Sequence, residues 1–318
     1  MNSEPMDPCR LLPVAEDHRA EAFELVFAEL PADQRQQQTD ALLQAVESGD
    51  LPPDGLLGAY RQDRLVGVVL WQLLPGRTSM LWPPRLIDGE DRATADRLLK
   101  TACESFEACG IVMAQALLER VDEADDRLLC GHGFRRMADM LYLVSLEIEF
   151  PTSLPPTSLK FIPYSEPLAA RLSRIVEATY EQSLDCPAID GVRSIEDVLE
   201  GYRTTGRFDP SRWLIVAHEG RDVGCLLLTD HPEHENWELV YMGVVPSERG
   251  HGWGVEIARH AQWLTREAGR PRLVLAVDAA NQPGIAMYSA AGFQAWDRRQ
   301  VYLKQFDSRS THPESGSV

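Results

Sequence analysis

Two stretches of this chain, far apart in sequence, read alike. Leu57-GAYRQDRLVGVVL and Leu214-IVAHEGRDVGCLL each hold a strand-like run, a charged turn and a second strand-like run with a glycine near its start, Gly67 and Gly224, about 157 residues apart. Gly133-Phe134 ahead of Met140-LYLVSL matches Gly292-Phe293 ahead of Val301-YLKQF, about 159 residues apart. Chance produces any one such match easily. A near-constant offset across several of them marks a duplicated αβ unit. The length of 318 residues suits two domains at roughly 100–200 residues each. A seam lies at Phe150-PTSLPPTS-Leu159, where Pro151, Pro155 and Pro156 forbid a continuing helix or central strand. The expected division is therefore a domain over 1–150, a semi-rigid linker over 151–158 and a domain over 159–306. Beyond that, 307–318 has no apolar periodicity and reads as a disordered tail.

Composition removes several function classes. No apolar run approaches the roughly 20 residues a bilayer needs, so no membrane contact is expected. The opening MNSEPMDPCR has no apolar leader core. The net charge of −18 opposes broad nucleic-acid binding, which runs on clustered Lys and Arg. It is spread unevenly: 14 basic against 27 acidic residues over 1–150, 17 against 22 over 151–318. The six cysteines form no C-x-x-C pair, which suits a reduced, cytoplasmic chain.

The second half reads as β-α-α-β-β-β-α-β-α-β-β. Apolar spacing predicts a helix from Leu168 to Tyr180, and Ser194-IED opens another as a capping box. Trp213-LIVAHE and Val223-GCLLLT make a hairpin, Trp237-ELVYMGVV a strand, and Gly252 to Ala268 a helix. Leu273-VLAV is a buried strand, Gln282 to Ala291 a short helix, and two strands close the chain from Phe293.

The densest chemical signal is Val244-VPSERGHGWGVEI. A strand, a short loop with Gly250, Gly252 and Gly254, and an amphipathic helix follow one another. Glycines let successive N–H groups turn to one point, and the helix start adds orphan donors and a positive dipole end. That is an anion site suited to a pyrophosphate, with Arg249 as added charge. There is no Lys for a Walker loop, and the spacing fails the G-x-G-x-x-G fingerprint. The pattern that fits is R/Q-x-x-G-x-G/A. Downstream, Asn281, Tyr288, Gly292 and Phe293 keep a second spaced motif, with Gly284 where Ala is usual.

On these two motifs, residues 157–306 resemble the GNAT superfamily of N-acetyltransferases; residues 10–148 resemble it only weakly. The resemblance implies an α+β chain of two tandem GNAT-like domains, each a mixed, mostly antiparallel twisted sheet flanked by helices. The plan is that of tandem-GNAT enzymes of the mycothiol synthase type, with the C-terminal half active. It implies acetyl-CoA as co-substrate, no metal, and a small-molecule or peptide amine as acceptor. Arg249, Gly250, His251, Gly252, Trp253, Gly254 and Val255 would hold the coenzyme. Met242, Gly243 and Val244 would form a bulged strand splayed from its neighbour, pairing with pantetheine and offering the Val244 N–H to the thioester carbonyl. Asn281 would meet the pantetheine arm or cap its helix.

A lysine-like amine has a pKa near 10.4, so freeing its lone pair at pH 7 costs about 4–5 kcal/mol. A carboxylate takes that proton. Glu238, 11 residues before Arg249, stands where histone-acetylating relatives carry their base; the alternative is a solvated strand carboxylate. The position used by other relatives, five before the Asn, is Ala276. Tyr288 would be the general acid toward the leaving thiolate; the alternative is a core aromatic. In the first half, Trp82-PPRLIDGEDRATADRLL has Gly89 alone for a loop, beside Asp88, Glu90 and Asp91, and Leu129 stands where the second half has Tyr288. The first domain is thus expected to be non-catalytic and to wall one side of the substrate cleft. His231-PEH fails both zincin patterns and reads as a solvated loop, and Cys186 and Cys225 read as core thiols. The expected activity is N-acetyl transfer by direct attack in a ternary complex. An idle acyl-CoA sensor or assembly module is the alternative.

Overall fold

A computed structural model describes residues 9–49 and 52–306; the tail expected at 307–318 lies outside the described residues. The chain forms two compact units, Met1–Arg136 with Tyr302–Val318, and Met137–Val301. They are not divided at the proline-rich stretch. Leu143 and Phe150 are buried in the second unit's core, while Tyr302 and Phe306 are buried in the first unit's core. Residues 137–150 and 302–306 therefore fold with the unit that lies across the seam in sequence.

The first unit contains β1 (Arg10–Pro13), α1 (Arg19–Val26), α2 (Ala32–Ser48), β2 (Leu56–Arg61), β3 (Arg64–Leu74), β4 (Thr78–Leu86), α3 (Arg92–Ala108), β5 (Met113–Leu118) and α4 (Glu123–Gly131). Its strands lie in the order β1-β2-β3-β4-β5, followed by the end of the chain's last strand. The second unit contains most of β6 (Arg135–Leu146), then β7 (Lys160–Pro163), α5 (Ala169–Tyr180), α6 (Ile195–Arg203), β8 (Trp213–His218), β9 (Arg221–His231), β10 (Asn236–Val244), α7 (Trp253–Glu267), β11 (Arg272–Asp278), α8 (Gln282–Ala290) and most of β12 (Gln294–Gln305). Its order is β12-β6-β11-β10-β9-β8-β7. The architecture is α+β, two units in tandem, each a mixed, mostly antiparallel sheet flanked by helices. Elements β2, β3, β5 and α4 recur as β8, β9, β11 and α8, about 157 to 159 residues on.

The two final strands expected after Phe293 are a single strand, β12. Asp297-Arg298-Arg299 contains no Gly or Pro to turn the chain. Its charges are paired along the strand instead, Arg299 with Asp297 at 2.8 Å and Arg298 with Asp139.

In the second unit α5 and α6 pack on one face of the sheet, around Leu172, Ile175, Val176 and Leu199. The other face carries α7 and α8, around Ile257, Ala261, Leu264 and Tyr288. The parallel pair of β10 and β11 matters most. β10 pairs with β11 only over Asn236–Glu238 against Arg272–Val274, and beyond that the two strands part. Across β9 the register shifts between Leu239 and Tyr241, so Val240 is the extra residue of a β-bulge. The bulge lies at Val240 and not, as expected, within Met242–Val244. Gly243 has another reason to be glycine. A Cβ there would lie 2.5 Å from Thr179 Cβ. The first unit repeats the splay, since β4 pairs with β5 only over Thr78–Met80 against Met113–Gln115.

Candidate active site

Where β10 and β11 part, a cavity of about 830 Å³ opens, lined entirely by residues of the second unit. It collects Glu238, Met242, Gly243 and Val244 from β10, then Arg249, Gly250, Gly252, Trp253, Gly254 and Val255 from the loop and α7, and Asn281 and Tyr288 from α8. His251 is not on its wall. Its ring stacks on Trp253 at 5.9 Å and its Nδ1 lies 3.1 Å from Glu248 O. Among described residues before the proline-rich stretch, Met140 of β6 alone lines the cavity.

The loop has the form its glycines require. Gly250 and Gly252 have φ of +83° and +80°, a region open to Gly at little cost. Among the described residues no main-chain carbonyl accepts from the amides of Gly250, Gly252, Trp253 and Gly254, and Val255 N donates to Gly252 O at 3.1 Å. Gly252 caps α7 with no side chain over the helix end. Gly250, Gly252, Trp253 and Gly254 stand on the cavity wall beside a helix start with no side-chain cap, an arrangement suited to a diphosphate. The first unit's counterpart is closed. Asp91 caps α3 by accepting from Ala93 N at 3.0 Å. Glu90 is held by Arg61 at 2.9 Å and by Thr94 Oγ1 at 2.7 Å. Leu129, at the Tyr288 position, is fully buried.

Arg249 does more than add charge. Its guanidinium donates to Val244 O, Gln182 O and Thr179 O at 3.1, 3.2 and 2.9 Å. It ties the end of α5 to the end of β10 and so fixes the loop between them. Val245 N donates to Val223 O of β9 at 2.9 Å. Successive strand amides point to opposite edges, so the Val244 N–H turns to the open side of the splay. Asn281 caps α8, its Oδ1 accepting from Gly284 N at 3.0 Å. That explains Gly284, where a Cβ would come within 2.6 Å of Asn281 Nδ2.

Tyr288 is buried, its ring edge-on to Phe293. Burial, and then the charge of Asp185, raise its hydroxyl well above the ordinary 10, so it stays a donor throughout the physiological range. Glu238 lies at the root of the splay, half-buried, and His231 Nε2 is 2.8 Å from its Oε2. His231 was expected in a solvated loop. It is the last residue of β9, with its side chain mostly buried. The sequence gives little sign of this pairing, because it depends on the β9–β10 register setting Asn236 opposite His231.

The structure adds other residues that pattern-reading passes over. Tyr180, Tyr202 and Tyr241 line the cavity on the α5–α6 side; the Tyr180 and Tyr202 hydroxyls meet at 3.2 Å, and Tyr241 meets Thr179 at 2.7 Å. Cys186 has its thiol pushed up to about 12 by burial and by the carboxylates of Asp185 and Asp278. It is a protonated wall residue, not a nucleophile.

The acetyltransferase (GNAT) family model matches residues 176–293. The mycothiol acetyltransferase of Thermomonospora curvata is 30% identical over 103 residues, which is 32% of this chain and 34% of that protein. That of an Arthrobacter species is 31% identical over 100 residues, 30% of this chain and 31% of its own length. The aligned part thus spans about a third of these curated relatives. Among solved structures, a GCN5-related N-acetyltransferase from Sphaerobacter thermophilus shares the fold with a TM-score of 0.64 at 16% identity, covering 93% of this chain and 95% of that one. A tandem GNAT protein from the clavulanic acid biosynthesis pathway matches with a TM-score of 0.50 at 15% identity, over 94% and 98% of the two chains.

Proposed function

We propose that this protein, whose residues 176–293 match the acetyltransferase (GNAT) family model, transfers an acetyl group from acetyl-CoA to a small-molecule primary amine by direct attack in a ternary complex. The observation that carries the reading is the joining of three features in one cavity: the unpaired loop amides of Gly250, Gly252, Trp253 and Gly254, the open edge of β10, and a carboxylate with a phenol along the splay. The amides of 250–254 hold the coenzyme diphosphate, with the loop braced by Arg249. The edge of β10 from Met242 to Val244 receives the pantetheine arm, as an added strand would be received. When bound, acetyl-CoA supplies an activated thioester.

Glu238 takes the proton of the incoming ammonium and leaves a neutral amine. The Val244 N–H stabilises the carbonyl oxygen as negative charge builds on it. Tyr288 donates a hydrogen bond to the departing sulfur. An ordinary thiol has a pKa near 8.5, below that of the phenol. The proton therefore stays mainly on oxygen, and stabilisation comes from the hydrogen bond. The mycothiol acetyltransferase relatives support a small-molecule acceptor over a peptide.

The test is calorimetry of acetyl-CoA on the purified protein, followed by thiol release with amines that include the acceptor of the mycothiol acetyltransferases. Micromolar binding with amine-dependent release supports the reading. Tight binding with no release from any amine overturns transfer in favour of a sensor, and no binding overturns both.

A further inference from the structure

A carboxylate that takes a proton from an ammonium ion must lose it before the next turnover. Glu238 faces the cavity, where bound substrates would keep bulk water away. On its other side sits His231, which does not line the cavity. Its Nε2 is 2.8 Å from Glu238 Oε2 and its side chain is 17% exposed. Gly206 closes over the ring, since a Cβ there would lie 2.7 Å from His231 Cε1. The second ring nitrogen, Nδ1, is 3.6 Å from Glu233 Oε1, whose side chain is 61% exposed. Three side chains thus run from the cavity wall to solvent, and the middle one is an imidazole with one ring nitrogen toward each carboxylate.

We propose that His231 is the positioning residue of Glu238 and the outlet for its proton. The proposal rests on the transferase reading above. The ammonium gives its proton to the Glu238 carboxylate, producing a neutral amine and a carboxylic acid. Neutral His231 then takes that proton through Nε2, restoring the carboxylate and becoming imidazolium. Its Nδ1–H passes a proton to water beside Glu233, and exchange of the ring proton with solvent returns the imidazole to its Nδ1–H tautomer before the next turnover. One proton enters and one leaves, and no electrons move.

The surroundings favour a proton-loving imidazole. Glu238 on β10, and after it Glu233 in the following turn, raise His231 above its ordinary 6.5 against the opposing effect of burial. The nearby cations have other partners. Arg270 binds Asp230 at 2.7 Å, Arg207 lends its charge to the same Asp230, and Arg272 donates to His234 O. The His234 ring is 6.3 Å from that of His231. On β6, Tyr142 feels the charges of Arg299, Glu238 and Asp297. Because the pair titrates together, the pKa seen in kinetics belongs to both groups.

The experiment measures kcat and kcat/KM against pH for the wild type, His231→Gln and Glu233→Gln. His231 NMR titration and acetyl-CoA affinity are followed in parallel. Gln can donate to Glu238 but cannot carry its proton away. In the wild type, kcat/KM rises with pH through a midpoint above the ordinary imidazole value. His231→Gln lowers kcat by about 10²-fold, flattens that limb and leaves acetyl-CoA affinity unchanged. Glu233→Gln, an exposed change, moves the limb and the NMR midpoint together to lower pH. An unaltered profile in His231→Gln, or a limb that ignores Glu233→Gln, overturns the proposal alone. Absence of turnover with every amine in the wild type overturns the transferase reading and this proposal with it.

Discussion

Gly243 and Thr179 show how a single missing side chain fixes the site. Thr179 is buried, and its Oγ1 is held by Val176 O at 2.6 Å and Tyr241 Oη at 2.7 Å, so it has no room to retreat. Gly243→Ala should cost about 1–3 kcal/mol by overpacking, read as a lower urea midpoint with an unchanged slope. Adding Thr179→Ala should recover part of the loss, because contacting residues couple. Tyr288 is a test of chemistry. Tyr288→Phe keeps the ring packing on Phe293 and removes one hydroxyl, so kcat should fall about 10²-fold while coenzyme affinity holds. An unchanged kcat would remove Tyr288 from the mechanism. At this scale, residues tied to a spaced motif were legible: Gly250, Gly252, Asn281 and Tyr288 all reach the cavity wall. His231 and the tyrosines at 180, 202 and 241 were not, because partners brought together by strand register or by helix-on-sheet packing leave no fixed spacing in sequence.

Among the elements, α7 is amphipathic as its spacing predicts, with Ile257, Ala261 and Leu264 inward. Its inner face also holds His260, stacked on Phe161 at 3.6 Å. Burial lowers this imidazole from 6.5 to about 4. Between those values the unfolded chain binds a proton that the folded chain does not, so stability falls as pH drops from about 6.5 to about 4. His260→Phe keeps a flat ring in the stack and should flatten that decline, as seen in melting temperatures across the same range. A decline of the same steepness in the variant would place the acid sensitivity elsewhere. Strands and helices with strong periodicity were legible to within a few residues. The bulge was not placed correctly, since Gly243 drew attention to itself while Val240, which carries no signal, is the extra residue. The single long β12 was misread because a charged stretch resembles a turn when its pairing partners are unknown.

For the whole molecule, the duplication was readable from its offset, but the grouping of residues into units was not. Proline content marks where the chain is extended, and says nothing about which sheet receives the strands on either side. In the second unit, Arg272–Asp278 of β11 pairs residue by residue with Met140–Leu146 of β6. A fragment beginning at residue 151 would leave that edge bare, and exposed strand edges recruit other chains. Such a fragment should be insoluble or bind no acetyl-CoA, while one beginning at 137 should be markedly more soluble. Equal solubility and coenzyme affinity in both fragments would contradict this.

The first unit's core includes Tyr302 and Phe306, the latter bonded through its amide to Val112 O at 3.0 Å. A ribosome delivers those residues long after Val112. Nearly two hundred amino acids must therefore emerge after Val112 before the hydrophobic interior of the first unit is sealed. That unit must wait, incomplete and open to chaperones, until the whole of the second has been made.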